Sequence, residues 1–251
     1  MVPFPLLHPV PPRSTSLHPV PPRSTSLHLA PPHSTSLHLT PPGFACADRE
    51  AKFGGLLAAA QLDLDKLKTL SWAGIPTQYR AEAWQLMLAY LPLNRDRRAS
   101  TLKRKRKEYH DFCTKYFDIP DCERMPEEQK VLHQILVDIP RTKPDIPLFF
   151  NPTIQRCLER VLYIWAIRHP ASSYVQGIDD LLTAFFVVFM QRYVENPYNC
   201  DVEALEAEVL GEVEADCFWC LTKMLDGIQD HYTWGQPGTV RRGGARGENC
   251  W

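Results

Sequence analysis

Residues 151–190, "NPTIQRCLERVLYIWAIRHPASSYVQGIDDLLTAFFVVFM", decide the fold. Asn151 offers a side-chain oxygen to the free N–H groups of a helix start, and Pro152 suits the first helical position, where its missing N–H costs nothing. The helix runs on to Pro170, which cannot continue it. After the short loop "ASSYVQG", a second and largely apolar helix is expected to open at Asp179 or Asp180. Two helices joined by a short loop imply more helices on either side.

Upstream, "PEEQKVLHQILVDI" begins with Pro126 and two glutamates, which suit the positive end of a helix dipole, and stops before Pro140. "LKRKRKEYHDFCTKYF" places Leu102, Tyr109, Phe112 and Tyr116 at helical spacing. "PTQYRAEAWQLMLAYLP" is expected to start with Pro76 in its first turn and to close at Pro92. "LDLDKLKTLSWAGIP" puts Leu64, Leu67 and Leu70 on one face before Gly74 breaks the run. Downstream, an acidic stretch extends from Glu195 to Asp216. No run of alternating strands occurs, so the fold class is all-α, with the helical domain expected at 61–236.

The two ends read differently. Residues 7–46 repeat a ten-residue unit, "LHPVPPRSTS" twice, then "LHLAPPHSTS" and a decayed "LHLTPPGFAC". Proline pairs in every copy block helix and sheet, so 1–60 is expected to be a disordered Pro-rich leader, with a polyproline II docking site carrying phosphorylatable Ser and Thr as the alternative. The segment 237–251 is rich in Gly and Arg, has no periodicity, and is expected to be an unstructured tail.

Composition narrows the function classes. The chain has 251 residues, 28 basic against 29 acidic, and 44% apolar residues. That apolar share suffices for a packed core, and the near-zero net charge exerts no general pull on nucleic acid or anionic membrane. The apolar run from Leu181 to Met190 is far shorter than the ~20 residues of a spanning helix. The N-terminus lacks the basic segment of a signal peptide. Eight scattered cysteines, several inside helical apolar patterns, suit reduced thiols in a soluble intracellular protein.

Three short motifs remain. "GIPTQYRAEAW" supplies Gly74, Pro76, Arg80 and Trp84, the last two one helical turn apart. Ile135, Asp138 and Arg141 form I-x-x-D-x-x-R across a helix end, in "ILVDIPRTKP". "SYVQG" sets Tyr174, Gln176 and Gly177 between two helices. Arg141 and Gln176 thus sit on braced loops at helix ends, from which a side chain reaches outward. A guanidinium brings permanent charge and a planar donor fork, and a carboxamide can hold and point a water. Phosphoryl transfer needs these two services, and neither requires a shifted pKa.

In this order the motifs resemble the three signature motifs of the TBC domain, the Rab GTPase-activating family. The wording "IPRTKPDIPLF" and "HPASSYVQGIDDLLTAFFVVF" is similar to the TBC domain family member 22 subgroup. The resemblance covers about 61–236. It implies that Arg141 and Gln176 are catalytic fingers supplied in trans to a Rab-family small GTPase. Arg80, Trp84, Asp138, Tyr174 and Gly177 would orient or support them, with Asp138 holding the Arg141 loop, against Arg80. It also implies no cofactor or metal of the chain's own, since GTP and Mg²⁺ belong to the partner GTPase. The protein would be a GTPase activator rather than an enzyme with its own substrate, with adaptor proteins as further partners. It would act in vesicle trafficking, cytoplasmic and peripheral to endomembranes such as the Golgi, its membrane association indirect.

Two departures from the family pattern stand out. Asp179 occupies a position where the family usually has asparagine, which puts a negative charge near a phosphate site. The chain also changes to its Gly/Arg segment soon after "DHYT", where the family's second lobe continues, so the domain is expected to be incomplete there. The alternative function is therefore a catalytically weak or inactive protein-binding module. The remaining features have plainer readings. "KRKRK" at 103–107 is expected to be a solvated helix face rather than a nucleic-acid site, and "CFWC" at 217–220 has metal-like spacing but no second ligand pair.

Overall fold

The computed structural model describes residues 42–232. Eight α-helices carry them: α1 (Pro42–Ala58), α2 (Leu64–Ser71), α3 (Thr77–Met87), α4 (Arg98–Phe112), α5 (Pro126–Asp138), α6 (Pro152–Arg168), α7 (Ile178–Met190) and α8 (Ala207–Tyr232). The one extended pairing among the described residues is an isolated antiparallel bridge between Gln61 and Asn94. The all-α reading holds. The expected leader as far as residue 41 and the Gly/Arg tail at 237–251 lie outside the described residues.

Local chemistry starts and stops these helices much as the sequence implies. The Asn151 carboxamide oxygen accepts from the N–H groups of Thr153 and Ile154 at 2.8 and 3.3 Å, with Pro152 opening α6. Glu128 reaches back to accept from the Met125 N–H at 2.9 Å, closing the first turn of α5 behind Pro126. α3 differs from expectation at both ends. Pro76 caps it from outside, and it stops at Met87, five residues short of Pro92. The cause is Ala89, held in the left-handed region at φ 56°, after which the N–H groups of Tyr90 and Leu91 both return to the Gln85 carbonyl.

The larger core lies where α8 packs along α7 with α4 and α6 beside it. Phe186, Phe189, Phe218, Tyr163 and Leu221 are almost wholly buried there. Each such side chain stabilises the fold by roughly 1.5–3 kcal/mol through transfer from water. The "CFWC" cysteines belong to this core: Cys217 and Cys220 are fully buried, and burial pushes both thiols well above their usual range. Burial and the Glu214 carboxylate likewise push the Cys113 thiol up to about 12. Thiols held protonated in this way are poor ligands and poor nucleophiles.

A smaller core corrects the expected domain start. α1 begins nineteen residues before position 61, and its Phe53 and Leu57 are buried with Leu62, Leu67, Ala83 and Leu86. The pair Gly54–Gly55 suggests a break in the helix, yet at Gly54 a Cβ would stand 2.9 Å from the Tyr79 hydroxyl oxygen. The glycine admits α3 close to α1, so the Phe53 and Tyr79 rings stack at 6.1 Å. Phe53→Ala is expected to cost about 3–5 kcal/mol, which is the usual range for a buried phenylalanine. Chemical denaturation would measure it, and a loss below about 1 kcal/mol would show α1 to be peripheral to the fold.

The basic run in α4 is not a plain solvated face. Lys103, Arg104 and Lys107 are exposed, but Lys105 lies 3.7 Å over the Trp219 ring and Arg106 is ion-paired to Asp216 and Glu212 of α8. The run's inner side fastens α4 to α8.

Candidate functional site

α5 ends at Asp138, and a single 3₁₀ turn, Ile139–Arg141, follows because Pro140 lacks an N–H but fits an early helical position. The turn closes through the Thr142 N–H donating to the Ile139 carbonyl at 3.1 Å. Lys143 then takes a left-handed φ of 51°, reversing the chain so that the Ile146 N–H meets its carbonyl. Arg141 projects from this corner. It is exposed and has no hydrogen-bond or ion-pair partner among the described residues.

The second loop joins α6 to α7. Ser173 at φ 54° and Gly177 at φ 101° turn the chain, and the glycine serves because a side chain is strained in that region. Gln176, between them, is exposed and likewise unpartnered among the described residues. Each loop therefore offers one free side chain.

Buried groups tie the two loops together. The Thr142 hydroxyl, one residue after Arg141, lies 2.6 Å from Asp179 Oδ2 and 3.1 Å from the Asp138 carbonyl. The other Asp179 oxygen accepts from the Gly177 N–H at 2.9 Å and lies 3.3 Å from the Tyr174 hydroxyl. That hydroxyl is 3.0 Å from Asp138 Oδ2, which also receives the Gln134 carboxamide at 3.1 Å. Burial first, then the Asp179 and Asp138 carboxylates beside it, hold the Tyr174 hydroxyl protonated far above the usual phenol range. It is thus a permanent donor with one proton and two acceptors. On the outer side, Lys143 pairs with Asp180 at 2.8 Å.

This geometry revises two expectations. Asp138 does not brace against Arg80: it faces Tyr174 and Gln134, whereas Arg80 donates to the Gln191 side chain at 3.2 Å and to the Ile75 carbonyl at 3.3 Å. A guanidinium already satisfied by α7's end and its own helix start has no need of Asp138. Asp179, expected as a charge near a phosphate site, is only 8% exposed and turned inward onto Thr142, Tyr174 and Gly177. The Gly177 N–H and the hydroxyl groups of Thr142 and Tyr174 face that carboxylate in place of solvent.

Arg80 and Trp84 do stand near the loops. With Lys143, Phe149, Asp180 and Tyr198 they line an open groove of about 470 Å³. Trp84 meets Phe185 edge-on, ring centres 5.6 Å apart, fixing α3 to α7. Thr142 and the Lys143–Asp180 pair escaped the reading of the sequence. Their signals were slight: a small hydroxyl directly after Arg141, and two adjacent acids of which one is buried and one exposed.

Two free side chains thus stand on loops fastened to each other. Residues 77–242 match the Rab-GTPase-TBC domain family. The chain belongs to this family. Human TBC1 domain family member 22B is 51% identical over 195 residues, which is 77% of this chain and 38% of that protein. The GTPase-activating protein gyp1 of Schizosaccharomyces pombe is 47% identical over 200 residues, 79% of this chain and 39% of that protein. The crystal structure of the Ypt/Rab-GAP domain of Gyp1p superposes with a TM-score of 0.72 at 41% identity, covering 78% of this chain and 62% of that one. This TBC chain thus spans about two fifths of the length of the curated relatives it matches. No helix among its described residues is long and apolar enough to cross a membrane.

Proposed function

We propose that this chain is a GTPase-activating protein for Rab-family small GTPases and supplies Arg141 and Gln176 to the partner's active site in trans. The observation that supports this reading most is the pairing of two exposed, unpartnered side chains with the right chemistry on loops joined by buried hydrogen bonds. Arg141 would place its donor fork on the oxygens of the transferring phosphoryl group, where charge develops. Gln176 would accept from the attacking water and orient it. Neither side chain exchanges a proton, so the chain acts by charge and position alone.

On this reading GTP and Mg²⁺ arrive with the partner, and the chain holds no cofactor. It is a regulator that shortens the lifetime of the partner's GTP-bound state. Membership of the Rab-GTPase-TBC family supports a role in vesicle trafficking, and on this reading recruitment to endomembranes such as the Golgi would be indirect, through the GTPase or adaptor proteins.

The test is single-turnover GTP hydrolysis by a panel of Rab proteins with and without the chain. Faster hydrolysis by at least one member is expected. Binding to GTP-loaded members with no acceleration of any would overturn the reading in favour of a docking module.

A further inference from the structure

Resting on that reading, we propose that Asp179 is a positioning residue which holds the loops of Arg141 and Gln176 at one fixed spacing. Its two carboxylate oxygens are divided between the loops. Oδ2 takes the Thr142 hydroxyl, one residue beyond Arg141, and Oδ1 takes the Gly177 N–H, one residue beyond Gln176. Both ends are buried, Thr142 at 5% and Asp179 at 8% exposure, so the link is little affected by solvent. Tyr174, two residues before Gln176, adds a parallel bond to Asp138, three residues before Arg141. The link therefore runs beneath the exposed side chains, while Lys143 and Asp180 close it on the outside.

This arrangement addresses a physical difficulty. Two catalytic groups on separate loops must meet one transition state together, and misplacement by about 1 Å can cost about 10²-fold in rate. Loops that moved independently would impose that loss on most encounters. A shared buried acceptor makes the two loops one body before the GTPase arrives. Asp179 is buried and faces Thr142, Tyr174 and Gly177, so it acts through the loops.

The test uses the full chain with a Rab protein that it stimulates. Asp179→Ala and Thr142→Val are each expected to lower kcat by about 10²-fold with KM for the GTPase little changed. Asp179→Asn should keep most of kcat. Its oxygen can stay with the Gly177 N–H while its amide donates to Thr142, whose proton turns to the Asp138 carbonyl 3.1 Å away. A readout independent of the GTPase is amide hydrogen exchange: Asp179→Ala should speed exchange at 142–146, in the opposite loop. If Asp179→Ala fails to fold, Thr142→Val, which removes one hydroxyl, carries the test. Unchanged kcat in Thr142→Val together with unchanged exchange would overturn the proposal, as would a raised KM at constant kcat. Failure of the activator reading would look different, with Arg141→Ala leaving stimulation intact whatever Asp179 does to exchange.

Discussion

Arg141→Ala is expected to lower the stimulated hydrolysis of GTP by about 10³–10⁵-fold, or about 4–7 kcal/mol of barrier, without shifting the melting temperature. The size follows from the place of action: a full positive charge meets developing negative charge where the closed complex excludes water. The silence of the fold follows from the structure, in which Arg141 is exposed and bonded to nothing among the described residues. Arg141→Lys should recover little, because an ammonium is a point charge and cannot grip two oxygens in one plane. Gln176→Ala should also act on kcat alone, and more weakly, since it removes orientation of a water rather than a charge. Hydrolysis undiminished in Arg141→Ala would remove the residue from the mechanism.

The sequence makes some of this legible and hides the rest for identifiable reasons. Asn151, Pro126, Pro140 and Pro152 reveal helix boundaries because capping and proline geometry act within a few residues. Arg141 and Gln176 are visible for the same reason, each sitting beside such a boundary. The link between their loops is not visible, since Thr142 and Asp179 are 37 residues apart and become partners only through the packing of α5, α6 and α7. Asp179 even misleads, because a carboxylate three residues after Gln176 reads as a negative charge near a phosphate site, whereas it is buried and turned onto Thr142, Tyr174 and Gly177. The start of α1 is masked by the proline pair of the last, decayed repeat, which reads as a helix blocker although Pro42 stands at the helix's first position. The acids near 214–216 look like part of a soluble stretch, yet Glu214 and Asp216 are the most deeply buried carboxylates of the described fold.

Asp216 carries the second large expectation: Asp216→Ala should destabilise the chain by about 3–5 kcal/mol, a large part of a typical net stability of ~5–15 kcal/mol. The carboxylate is 1% exposed and gathers four elements. It accepts from Gln85 at 2.9 Å and Tyr90 at 2.8 Å near the end of α3, from both Nε and Nη2 of Arg106 on α4 at 3.1 and 2.8 Å, and from Arg192 just past α7 at 3.4 Å. Truncation would remove the buried acceptor shared by two guanidinium groups and two neutral donors, leaving Arg106 only Glu212 and Arg192 only the Gln85 oxygen. The exposed pair of Lys52 and Asp48 provides the contrast, since its removal should cost no more than about 1 kcal/mol. Urea unfolding followed by circular dichroism separates the two cases, and a loss under about 1 kcal/mol for Asp216→Ala would show that solvent or neighbours replace the carboxylate freely. The charge itself need not be a net source of stability, because well-packed apolar replacements of buried ion groups are often neutral or better. Its effect is on arrangement. Only one placement of α3, α4, α7 and α8 brings all five donors to one carboxylate, and that placement sets α7 and therefore the Gln176 loop at its start. A chain carrying an apolar substitute for Asp216 together with Arg106→Met would still leave Arg192, Gln85 and Tyr90 without the acceptor they share, so it is expected to melt below the parent and to stimulate hydrolysis less.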